Sequence, residues 1–129
     1  MNGKKPLTGA VLIAILGSHA SAGFMDNKGM WDNLSIRAQE TYVMGAFDTY
    51  IGLFYDDPDE RAYQMDVISC TADLNINSTA LLKIVNQEYS DLSSWERPPV
   101  SMLLSGLRKV CLDHMNRARA ARGEPALSE

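Results

Sequence analysis

The chain has 129 residues, 46% apolar, 22% charged and 8% aromatic, with two cysteines and a formal charge of −4. That is the composition of one ordinary globular domain, and it excludes a disordered chain, a collagen-like repeat and a many-cysteine scaffold. No segment repeats at the periods of roughly 20 to 50 residues that mark a solenoid.

Residues 1–22 have the three-part build of a secretory leader: Lys4 and Lys5, an apolar run from Leu7 to Gly17, and small residues in Ala20-Ser21-Ala22. The apolar run is too short to cross a bilayer as a stable helix, and no later stretch reaches the roughly 18 apolar residues of a membrane span. The expected product is soluble and exported, cleaved after Ala22, with residues 23–129 forming a single domain whose core spans about 31–122. Loss of Lys4 and Lys5 leaves ten basic residues against sixteen acidic ones, a mature charge of −6. Such a balance argues against a general binder of nucleic acid or of anionic membranes.

From Asp32 onward, Ile36, Val43, Phe47, Tyr50 and Phe54 share one helical face, which predicts a helix from about Asn33 to Tyr55. Asp32 or Asn33 can cap its first turn. Ala38, Gly45 and Gly52 stack on one side of this helix and predict a close approach by another backbone, within the domain in the first instance and otherwise across a dimer. Asp57-Pro58-Asp59-Glu60 is a dense helix start, and a short helix of two or three turns should run to Met65 or Ile68 and deliver the chain to Cys70. Thr71 to Ile76 reads as a connecting turn. Asn77 then caps a helix striped by Leu81, Ile84, Val85, Tyr89 and Leu92, ending near Asp91 or Leu92.

The segment Ser93-Ser94-Trp95-Glu96-Arg97-Pro98-Pro99 is a polar, proline-stiffened loop with Pro99 at the start of the last helix. In that helix Val100, Leu103, Leu104, Leu107, Val110, Cys111, His114, Met115 and Ala118 keep a three-four rhythm until Gly123 and Pro125 stop it. Arg117, Arg119 and Arg122 suit its carboxyl end. The expected fold is all-α, a small bundle of three long helices plus one short helix.

In an oxidising compartment Cys70 and Cys111 permit one pairing, and the disulfide is preferred to free thiols or a metal pair, which lacks further ligands. It closes a loop of 42 residues, for which chain entropy gives about 4 kcal/mol. His114, the single histidine after the leader, reads as a hydrogen-bonded residue at the edge of the core and not as a ligand or general base. The acidic group Asp56, Asp57, Asp59, Glu60 and Asp66 does not match a calcium loop, and a solvated face is preferred to a binding patch. Asn33-Leu34-Ser35 and Asn77-Ser78-Thr79 have the form of glycosylation sequons but sit where helix caps are wanted. There is no glycine-rich phosphate loop, no paired carboxylates and no G-x-S-x-G, so neither an active site nor a metal or cofactor site is expected.

Tyr42-Val43-Met44-Gly45-Ala46-Phe47-Asp48, then Cys70, Leu82-Lys83-Ile84-Val85-Asn86-Gln87-Glu88-Tyr89, Trp95-Glu96-Arg97-Pro98 and Leu107-Arg108-Lys109-Val110-Cys111 follow one another over about residues 30–112. This succession resembles the Rap/Tai family of periplasmic immunity proteins, which protect bacteria from amidase effectors of the type VI secretion system. The resemblance implies a periplasmic protein that binds and blocks a peptidoglycan-amidase toxin without catalysis of its own, and it suggests a homodimer, for which the Ala38/Gly45/Gly52 strip could serve. For the contact with such a toxin the acidic helix start offers Asp56, Asp57, Asp59, Glu60 and Tyr63, and the stiffened loop offers Trp95 and Glu96. The competing expectation is a periplasmic chaperone or adaptor-like binding module with no toxin partner.

Overall fold

Among the described residues most helices begin at a residue whose side chain closes the first turn, and those caps set their boundaries. The computed structural model describes residues 25–128; the leader expected over residues 1–22 lies outside the described residues. Asn27 opens a short α1, Lys28–Asp32, by accepting the Met30 N–H at 3.0 Å. This helix, unforeseen in the sequence, carries Trp31, which is fully buried. Its indole N–H donates to Asn86 at 2.8 Å, its carbonyl accepts from Gln39 at 2.9 Å, and its ring meets Tyr42 edge-on.

α2 spans Ile36–Gly52, shorter than the expected 33–55. Asp32 still belongs to α1, where it pairs with Lys28, and Asn33 closes that helix, so Ser35 takes the cap and accepts from Ala38 N–H. At the other end Gln64 reaches across and donates to the carbonyls of Tyr50 and Leu53, at 2.6 and 3.0 Å. A side chain thus satisfies groups that a helix end leaves open. Beyond that point Phe54 leaves the helix and is exposed, with the Arg61 guanidinium 4.7 Å from its ring centre. Of the expected face, Val43 is fully buried and Phe47 and Tyr50 half-buried, while Ile36 points outward.

α3, Pro58–Asp73, starts as expected, with the Asp57 carboxylate accepting from the N–H groups of Asp59 and Glu60. It does not stop at Met65 or Ile68. It runs through Cys70 and Thr71, so the turn begins only at Leu74 and passes through Asn75 with φ 51°. α4, Ser78–Glu88, is capped by Asn77 as expected and buries Leu81, Leu82, Ile84 and Val85. It ends at Glu88, and Leu92 falls in a 3-10 turn, Leu92–Ser94, where it is exposed. α5, Pro99–Ala121, has Pro99 at its first position and buries Met102, Leu103, Gly106, Leu107, Cys111 and Met115. Leu104 and Val110, expected on the same face, are partly exposed at its margin.

α3 and α4 both pack on α5, and α2 packs on α4. The described residues form an all-α bundle without a strand, braced by the disulfide Cys70–Cys111 between α3 and α5, with Cα atoms 5.8 Å apart and both residues fully buried. Within the chain nothing approaches the small-residue strip closely: a Cβ at Gly45 or Gly52 would meet nothing within 4 Å. The close approach occurs at Gly106, where a Cβ would come within 2.3 Å of Ile84 Cγ2. Glycine here lets α4 and α5 press together.

Candidate binding surface

The amino end of α3 and the carboxyl end of α2 meet at the Leu53–Asp57 connection, and the side chains there open a groove. Tyr50, Tyr55, Asp59, Glu60, Tyr63 and Arg119 line it, around a volume of about 400 Å³. The Asp57 cap fixes the first turn of α3 and so the directions of Asp59 and Glu60. Neither carboxylate has a cationic partner within 4 Å among the described residues. Burial raises the Tyr50 and Tyr63 hydroxyls above the usual phenol range, so both are neutral donors at physiological pH. Arg119, read from the sequence only as a complement to the helix dipole, forms one wall; its guanidinium also pairs with Glu124 at 3.1 Å.

Of the seven residues singled out in the sequence, the structure brings Asp59, Glu60 and Tyr63 together in this groove. Asp56 and Asp57 stay exposed at the helix start, the latter engaged as the cap. Trp95 and Glu96 line a different groove with Asn27, Lys28, Gly29 and Asp32. There the Trp95 indole donates to the Tyr89 carbonyl at 3.0 Å, its own carbonyl accepts from Lys28 N–H, and the Lys28 ammonium lies 5.3 Å from the ring centre. The ring is partly exposed but fixed in place. Tyr50 and Tyr55 were missed as groove residues, although aromatic residues flanking an acidic run are a readable signal.

Asp66 does not belong to the acidic face. It is 8% exposed and receives both Arg122 nitrogens, at 2.9 and 2.7 Å. Arg122 also holds Glu124, so one guanidinium joins α3, α5 and the chain beyond α5. That neighbour keeps the Glu124 carboxyl below the usual carboxylate range. His114 is half-buried at the edge of the core, but the hydrogen bond expected for it is not formed: its Nδ1 lies 3.6 Å from an Asp73 oxygen. Among the described residues no three His, Cys, Asp or Glu side chains converge as a metal site, and no helix is long and apolar enough to cross a membrane. The chemistry on offer at the α3 groove is recognition: two open carboxylates for cations, three phenols for hydrogen bonds and ring contacts.

Compared with family models, curated proteins and solved structures, the chain matches none.

Proposed function

We propose that the protein is a periplasmic immunity protein that binds and blocks a peptidoglycan-amidase effector of a type VI secretion system, with the tyrosine-lined groove of α3 as its principal contact. The observation that carries this reading is the pairing of open carboxylates at Asp59 and Glu60 with Tyr50, Tyr55 and Tyr63 on a helix start held by its cap. Tyrosines supply contact area at low entropic cost, and carboxylates without an internal partner are free to meet basic groups on the effector. A mature charge of −6 would speed the encounter with a basic toxin. The mechanism is steric: a braced surface covers the substrate cleft and keeps stem peptides from the effector's nucleophile.

An adaptor or chaperone-like role draws its support from exposed apolar side chains at Ile36, Phe54 and Leu92. That reading predicts binding to many unfolded chains, with little dependence on salt. The immunity reading predicts one partner and strong dependence on salt. Replacing Asp59 and Glu60 by lysine should slow association with the effector encoded beside the gene by about tenfold or more at low ionic strength, with the difference shrinking as salt is raised. Unchanged association kinetics would remove the groove from the contact. Survival of a deletion strain under attack by effector-delivering sister cells would remove the immunity reading altogether.

A further inference from the structure

The chain does not end at α5. Gly123, with φ 75°, turns it, and residues 124–128 lie back against the helix without secondary structure. The points of attachment move steadily backward along α5. Arg119 Nε donates to the Pro125 carbonyl at 2.7 Å, Asn116 engages Leu127, and Arg108 donates to the Ser128 carbonyl at 2.9 Å. The tail therefore runs antiparallel to the helix.

The Asn116 contact is the informative one. Its Oδ1 accepts the Leu127 N–H at 2.7 Å and its Nδ2 donates to the Leu127 carbonyl at 3.2 Å. A single carboxamide thus takes both backbone groups of one residue, as a neighbouring strand would. The three attachments read main chain, not side-chain identity. Leu127 contributes an apolar side chain to the seat, half-buried against the core, and Glu124 an ion pair with Arg119 and Arg122. Where Arg108 grips Ser128, the same guanidinium lines a cavity of about 520 Å³ with Ser105, Lys109 and Leu112. Arg108 has no carboxylate partner within 4 Å among the described residues.

We propose that this face of α5 is a peptide-binding site whose occupant in the free protein is its own tail, and that it accepts an extended protein segment carrying an aliphatic residue followed closely by an acidic one. Asn116 clasps the backbone of the aliphatic residue, the core takes its side chain, and Arg108 receives the carboxylate; Lys109 beside it is held by both Glu88 oxygens at 2.8 Å. Because the tail is covalently joined to α5, a free segment displaces it only when its own affinity and concentration outweigh the tail's effective local concentration. The site shares Arg119 with the α3 groove, but its test reads peptide binding at Asn116 and not effector binding, so either reading can fail alone.

The probe is a synthetic peptide of residues 123–129, titrated by NMR into the isotopically labelled mature chain. With Leu127→Asp, which unseats the tail, the peptide should bind at least tenfold more tightly than to the wild-type chain and shift the Asn116 side-chain amide. Adding Asn116→Ala to that variant should abolish the shifts with helicity unchanged. A peptide with aspartate in place of its leucine should not bind. Should Leu127→Asp fold poorly, Leu127→Ala gives the same reading. Equal binding to wild type and variant, or no shift in the folded variant up to millimolar peptide, overturns the proposal.

Discussion

A methyl group added at position 106 would meet Ile84 Cγ2 at 2.3 Å and Glu88 Cγ at 3.2 Å, where α4 packs on α5. Alanine in place of glycine gains about 1 kcal/mol of helix propensity, but overpacking a tight interface costs about 1–3 kcal/mol. Gly106→Ala should therefore lower stability by up to about 2 kcal/mol. Gly45→Ala keeps the propensity gain and meets nothing, so it should raise stability by about 0.5–1 kcal/mol, both changes being read from urea midpoints at constant slope. Opposite signs at two helical glycines test the packing directly. The sequence displays Gly45 and Gly52 more prominently than Gly106, because regular spacing is visible and the inward direction of a glycine is not. Asp66 is a similar case. Its place in an acidic run suggests solvent, and only the fold shows that Arg122, 56 residues later, reaches it.

Element lengths were legible where apolar periodicity and caps agreed, and misjudged where polar residues are buried. α4 is capped by Asn77 and α5 begins at Pro99, as the pattern predicts. α3 outruns its expected end because Gln64 and Asp66 interrupt the apolar pattern although both are buried, one capping α2 and the other paired with Arg122. The loop after α4 was readable as polar and stiff, but its locking contacts were not. The Tyr89 hydroxyl donates to the Arg97 carbonyl at 2.7 Å, and the Tyr89 carbonyl accepts the Trp95 indole. Burial pushes the Tyr89 hydroxyl up from 10.0 to about 12. Folding thus favours the neutral phenol; its contribution is whole below the unfolded value and drains away as pH rises through the folded one. Tyr89→Phe removes a buried hydrogen bond and should cost about 1 kcal/mol at neutral pH. Between pH 10.0 and about 12 the gap to the wild type should close, as followed by denaturant titrations across that range. A constant gap would place the phenol in water.

At the scale of the molecule, helix class and cysteine pairing followed from the sequence because each rests on few alternatives: one rhythm of apolar residues, and two cysteines with one connectivity. The chain path at both ends did not, since Trp31 on α1 and Leu127 in the tail join the core through contacts distant in sequence. The bridge between α3 and α5 closes a loop of 42 residues. Loop entropy assigns it about 4 kcal/mol, against a total of about 5–15 kcal/mol for a domain of this size. Replacing both Cys70 and Cys111 by alanine should lower unfolding free energy by roughly that amount, and the wild type under strong reductant should behave alike. The denatured, unreduced native protein should show no free thiol. The two perturbations differ in one respect that makes the comparison useful: alanine also removes two fully buried sulfur atoms, whereas reduction keeps them. A double variant much less stable than the reduced wild type would assign the difference to packing between α3 and α5, and equal losses would assign the whole effect to the closed loop.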